Sequence, residues 1–166
     1  HEGKMISFMK GYVKEGTEAI NWSLTGKPAD ERGIQTDLNH SVRLYQETAV
    51  PYGITVIPGA EITRNPKVIG HYNALFTTDN NTIYDPDPAQ SMRNARAQGA
   101  IIMQNHPGWR RTDLTMMEFE TKVYDEGLID GIEIMNGAEF YPKAIDRALK
   151  GGFFMAANTD SHKSTY

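Results

Sequence analysis

Gly152-Phe153-Phe154-Met155-Ala156-Ala157-Asn158-Thr159-Asp160-Ser161-His162 is an apolar run that ends in a carboxylate and an imidazole. The run is short, bounded by glycine and rich in aromatic and small apolar side chains, so it reads as a buried strand. If that strand continues to Asp160, period-two alternation sets Asp160 and His162 on one side at its exit. A carboxylate and an imidazole leaving the C-terminal end of a strand make a pair of candidate metal ligands.

The same grammar recurs upstream. Ala100-Ile101-Ile102-Met103-Gln104 reads as a buried strand running into Asn105-His106-Pro107-Gly108-Trp109, and Ile129-Asp130-Gly131-Ile132-Glu133-Ile134-Met135 as another, ending at Asn136-Gly137-Ala138-Glu139. Ile54-Thr55-Val56-Ile57-Pro58 is β-branched and reads as a strand with Gly59-Ala60-Glu61-Ile62-Thr63 at its end, and residues 68–76 read as a strand with His71 inside it. Between them lie helical patterns. Asp37, Leu38, Asn39 and His40 open one that runs through Ala49, with Val42, Leu44, Tyr45 and Ala49 as its apolar face. Others cover residues 89–98, closed by Gly99, a stretch from Thr112 or Asp113 towards Glu126, and residues 142–150.

Strand and helix in alternation, with polar residues wherever strands end, predict a parallel α/β architecture with its site at the C-terminal strand ends. Because those polar residues come from several strands, a barrel is the preferred form. Residues 1–36 are the least readable part, a segment or insertion with apolar residues near helical spacing, so the domain proper is taken as residues 37–166.

The chain has 166 residues, 39% hydrophobic and 23% charged, enough for one domain with a real core. A net charge of −4 gives no basic surface for polyanions. With no cysteine, disulfides and thiolate metal sites are excluded. No apolar run reaches the ~18 to 20 residues of a membrane span, so the chain is read as soluble, with no compartment assigned. The start at His1 and the stop soon after His162 are read as cut ends.

The histidines are His1, His40, His71, His106 and His162. A single strand histidine is more often a hydrogen-bonded core residue than a ligand, and Glu61 or Asp160 alone has bland explanations too. A whole set of acids and imidazoles on consecutive strand ends is harder to bury without a cation, and metal binding is the better reading of the set. His40 sits at a helix start and is left out.

In their order, Gly59-Ala60-Glu61-Ile62-Thr63, Gly70-His71-Tyr72-Asn73-Ala74-Leu75-Phe76, Asn105-His106-Pro107-Gly108-Trp109 and Thr159-Asp160-Ser161-His162 resemble the motifs of the polymerase and histidinol phosphatase (PHP) family of metal-dependent phosphoesterases. The resemblance implies a distorted seven-stranded (β/α) TIM-like barrel holding two or three divalent transition-metal ions, Zn²⁺, Mn²⁺ or Fe²⁺. It implies that Glu61 bridges metals, that His71, His106, Asp160 and His162 are terminal ligands, and that Glu61, His106 and Asp160 carry the catalysis. His1-Glu2 stands either as the end of an early Thr-(Asp/Glu)-His motif, making His1 a ligand, or as an arbitrary terminus. The family's opening His-x-His motif is not in the sequence, so the chain is read as lacking one or two first strands of the barrel.

The implied reaction is phosphoester hydrolysis, of a monoester or a diester, by a hydroxide bridging the metals. Arg110, Arg111, Lys163 and Arg64 lie in presumed strand-end loops and are candidates to clamp phosphate, each with solvated surface charge as its alternative. Asn136, with Asn73 and Glu139, is a candidate for substrate contact or ligand orientation. Trp109 either floors a pocket or simply packs. The expected partner is a small phosphorylated substrate. A PHP-type nuclease, a non-catalytic metal-binding remnant and an amidohydrolase-like barrel are the rival readings, and the acidic balance weighs against nucleic acid.

Overall fold

The computed structural model describes residues 37–63, 69–109, 111 and 115–160. In chain order these form helix α1 (His40–Ala49), strands β1 (Gly59–Thr63) and β2 (His71–Leu75), helix α2 (Pro88–Ala97), strand β3 (Ile101–Gln104) and helix α3 (Glu118–Asp125). Strands β4 (Gly131–Asn136) and β5 (Glu139–Phe140), helix α4 (Pro142–Gly151) and strand β6 (Phe154–Asn158) complete them. Residues 1–36, read as the poorly legible segment, lie outside the described residues.

The strands form one six-stranded sheet in the order β1-β2-β3-β4-β5, with β6 paired to β4. It is mixed rather than parallel: β2 runs antiparallel to both β1 and β3, β3 and β6 run parallel to β4, and β5 is antiparallel to β4. Among the described residues the sheet is open, with no pairing between β1 and β6. The expected parallel strand sense is corrected to a mixed one, and among the described residues the sheet does not close into a barrel. Hydrophobic alternation registers which face a side chain takes but not which way its strand runs, so the reversal of β2 left no trace in the pattern.

That reversal decides where the site falls. β2 begins with His71, and the register pairs Thr63 with His71 and Glu61 with Asn73. The first residue of β2 thus lies beside the last residue of β1, and the Asn105 N–H bonds the His71 carbonyl at 2.9 Å, just past the end of β3.

Cross-strand partners share a face of a sheet. On one face, Ile62, Tyr72, Ala74 and Ile102 pack with Ala89, Met92 and Ala95 of α2 and Val123 of α3 into the main core. Ile132 forms a smaller core with Tyr141 and with Ala144 and Ala148 of α4. The alternate positions, Glu61, Thr63, His71, Asn73, Met103 and Glu133, fall on the opposite face.

Other expectations moved by a few residues. Residues 54–58 form no strand: Ile54 and Ile57 are 62% and 51% exposed, and β-branched propensity without a partner ladder does not make one. The following Gly59–Thr63 is the strand itself. Of the α1 face expected to be apolar, Leu44 and Tyr45 are half exposed, at 49% and 48%, while Ala49 is buried as expected, together with Ser41. α3 starts at Glu118, later than the capping residues proposed for it; Thr112 and Asp113 are outside the described residues. α2 and α4 lie within a residue or so of expectation.

Two local features of β4 were not foreseen. Gly137-Ala138 makes a two-residue hairpin into β5, with Gly137 at φ 57. Between Glu133 and Met135 the register against β6 slips by one, a β-bulge at Ile134. β6 ends at Asn158, and Asp160 has φ 47, so simple alternation does not carry through to Asp160 as expected.

Candidate metal and phosphoester site

At the end of the sheet where β1 and β3 finish and β2 starts, Glu61, His71 and His106 come together. His71 Nδ1 lies 2.9 Å from His106 Nε2 and 3.4 Å from Glu61 Oε1. Each of the three is 7% exposed. Thr63, two residues along the same face of β1, donates its hydroxyl to Glu61 Oε1 at 2.6 Å. Trp109 packs against both imidazoles, its ring centroid 5.2 Å from that of His71 and 5.5 Å from that of His106.

His106 sits two residues beyond β3 with φ 23, in the left-handed region that non-glycine residues avoid. Its backbone N–H is taken by Glu133 Oε2, and its Nδ1 lies 3.5 Å from that same oxygen and 3.3 Å from Asn136 Nδ2. Glu133 Oε1 accepts from Asn158 Nδ2 at 2.7 Å, and Asn136 Nδ2 is 3.2 Å from Oε2. Glu133 is 2% exposed. Burial pushes its carboxyl pKa up, but hydrogen bonds from the His106 side chain, Asn158, the His106 backbone and Asn136 outweigh this and hold it below the ordinary value.

Beside His106 opens a cleft of about 440 Å³, lined by Asn73, Asn105, Glu133, Asn136, Asn158 and Asp160 among others. Asn105 Nδ2 donates to Asn73 Oδ1 at 3.0 Å, while Asn105 Oδ1 is buried with no hydrogen-bond partner among the described residues. Such an orphan acceptor carries a desolvation cost and marks a place built for more than packing.

Of the residues singled out in the sequence, Glu61, His71 and His106 are brought into one group, and Asn73, Asn136 and Asp160 line the adjoining cleft. His1, His162, Arg64, Arg110 and Lys163 lie outside the described residues. Arg111 is committed elsewhere: its guanidinium bonds Glu120 Oε1 at 2.6 Å and the Thr115 carbonyl. Glu139 accepts from the Tyr141 hydroxyl at 2.5 Å. Trp109 both packs and covers the imidazoles.

Sequence reasoning missed Glu133 and Asn158. The signal for Glu133 was present, a carboxylate between Ile132 and Ile134 in a strand otherwise made for burial. Its kinship with Asn136 was hidden, because three residues apart means opposite faces in a regular strand, and the bulge at Ile134 cancels that alternation.

Imidazoles and carboxylates without thiolate are the donors of Zn²⁺, Mn²⁺ or Fe²⁺ sites, so the chemistry of the group fits a transition-metal ion. The described residues do not complete such a site: among them, no three His, Asp or Glu side chains converge closely enough to hold a metal. The imidazoles instead satisfy one another.

No family model matches the chain, and no curated protein does. Among solved structures it is similar to a two-domain protein from Bacteroides vulgatus ATCC 8482 that contains a predicted PHP-like metal-dependent phosphoesterase, with TM-score 0.71 and 35% identity. The match covers 80% of this chain and 39% of that one, so the chain spans well under half of that protein's length. Together with the ordered glutamate and histidine motifs that end β1, open β2 and follow β3, this likeness makes the chain a relative of the PHP family.

Proposed function

We propose that the site hydrolyses a phosphoester with the help of bound divalent metal ions. The observation that carries this reading is the buried His71–His106 pair, 2.9 Å apart, with Glu61 Oε1 at 3.4 Å from the same His71 nitrogen. Glu61, His71, His106 and Asp160 would hold the ions, joined by His162 and, if it belongs to the site, His1. Two or three such ions, when bound, would lower the pKa of a coordinated water towards neutrality and take up charge on the phosphoryl oxygens.

The chain's own residues do the rest. Thr63 fixes the orientation of Glu61, and Trp109 keeps water from one side of the imidazoles. The cleft beside His106 has room for a small phosphorylated molecule, and it offers amides at Asn73, Asn105, Asn136 and Asn158. Asp160 stands at its rim. Positive charge for the phosphate would come from Arg110 or Lys163, since Arg111 would first have to leave Glu120.

The test is reconstitution of the purified chain with Zn²⁺, Mn²⁺ or Fe²⁺ and assay on an aryl phosphomonoester, an aryl phosphodiester and single-stranded DNA. Turnover of a small ester that is abolished by chelation and by His106→Ala supports the proposal. Metal binding with no turnover would favour the non-catalytic reading, and faster turnover of DNA than of either ester the nuclease.

A further inference from the structure

We infer that Glu133 is the positioning residue for His106, holding its backbone and its ring so that Nε2 faces His71. The inference deepens the metal-site reading above and rests on it for its functional meaning, though not for its geometry.

Three observations converge. The His106 backbone is in the left-handed region, at φ 23, which is strained for a non-glycine residue and persists only where surroundings hold it. Its N–H has Glu133 Oε2 as acceptor, so the carboxylate supplies that hold. On the ring, the Nδ1 side faces Glu133 Oε2 at 3.5 Å and Asn136 Nδ2 at 3.3 Å, while Nε2 faces His71. A carboxylate behind one ring nitrogen leaves the other pointed at the opposite side, which is how outer carboxylates aim metal-binding histidines.

Glu133 is itself pinned. Asn158 of β6 donates to Oε1 at 2.7 Å, and the bulge at Ile134 turns Asn136 to the same side, 3.2 Å from Oε2. One carboxylate therefore ties the end of β3 to the ends of β4 and β6. Its donors are backbone, amide and imidazole N–H groups, and no lysine or arginine of the described residues forms an ion pair with it. A guanidinium here would cancel the charge that makes the carboxylate useful behind a cation-binding ring.

The experiment uses the full chain and Glu133→Gln, Glu133→Asp and Glu133→Ala. The first reading needs no metal: the His106 amide proton is followed by NMR in the metal-free protein. In Glu133→Ala its resonance should move upfield and its hydrogen exchange should accelerate by at least tenfold. The second reading is Zn²⁺ affinity by chelator competition. Glu133→Gln, nearly isosteric, should bind about 10- to 100-fold more weakly. Glu133→Asp, which keeps the charge, should recover part of that loss. If the variants lose only urea resistance while the folded protein keeps wild-type Zn²⁺ affinity, Glu133 is merely structural and the inference falls. An unchanged His106 amide in Glu133→Ala, or in Glu133→Gln should the alanine variant not fold, overturns it as well. A wild-type chain that binds no Zn²⁺ would sink the metal-site reading, and the amide measurement would still decide the role of Glu133.

Discussion

Glu120 and Glu133 are both buried, at 0% and 2% exposed, yet they are neutralised in opposite ways. Glu120 lies in the first turn of α3, on the helix-covered side of the sheet. Its Oε1 accepts from Gln104 Nε2 at 2.5 Å and from Arg111 at 2.6 Å, and its Oε2 takes the Met117 backbone N–H at 2.9 Å, closing the first turn of the helix. Gln104 in turn accepts from the Tyr124 hydroxyl at 2.6 Å and from Arg147 at 3.2 Å. Here a carboxylate meets a permanent cation and a closed polar network, and nothing is left for a ligand. Glu133, on the other face, collects, among the described residues, only donors without permanent charge. The comparison separates a carboxylate that builds the fold from one that keeps a field directed at a cleft.

The largest effect that could break this comparison is on stability. Replacing Glu120 with Ala leaves the Arg111 charge, whose side chain is only 13% exposed, without its partner, and should cost about 3–5 kcal/mol in urea unfolding. Zn²⁺ affinity of the remaining folded protein should stay at wild type. A loss under about 1 kcal/mol would mean Arg111 finds another partner easily and the pair is not structural.

Next comes metal removal. Free metal at a hundred times its dissociation constant should stabilise the protein by about 2.7 kcal/mol, and a chelator should reverse this in thermal unfolding. His71→Ala or His106→Ala should abolish the increment and Glu120→Gln should not. If all three behave alike, the two sides of the sheet are not functionally distinct.

A smaller effect is on pH dependence. The folded-state pKa of Glu133 lies below the ordinary 4.5, so its contribution to stability is present above 4.5 and is lost as pH falls below it. Glu133→Gln should flatten that acid limb of the stability profile.

The smallest is at Asp37, which precedes α1 and bonds Asn39, Arg43 and Asn81. Hydrogen bonds from Asn81 and Arg43, then from the Asn39 backbone, lower its pKa from 3.8 to about 2. Asp37→Asn should remove a contribution present above 3.8 and lost as pH falls towards 2, visible only as a slight change in acid unfolding.

What could be read in the chain beforehand follows from what each signal encodes. Apolar runs such as residues 100–104 and the amphipathic stretch of α4 report burial, and burial decided those elements. Glu61, His71 and His106 stood out because ionisable groups are rare in such runs, and they do meet. Chain direction leaves no mark on a period-two pattern, so β2 was given the wrong sense. The bulge at Ile134 is set by pairing with β6, 20 or so residues away in sequence, which local spacing does not contain. The partner of Arg111 was equally hidden, since Glu120 reads as an ordinary first-turn acid until the loop folds back over it.

The reversed course of β2 has a consequence for remodelling the protein. Because β2 starts at the site end, Thr63 and His71 stand side by side there, with His71 against His106 of the cleft wall. The connection after Leu75, which holds the short 3-10 turn at Asn80–Thr82, belongs to the far end of the sheet. Lengthening that connection should therefore leave metal binding at His71 and His106 unchanged, whereas changes at Thr63 should be felt there. In a sheet of strictly parallel strands, entering and leaving loops would have kept to opposite ends throughout, and this exchange of rims would not exist.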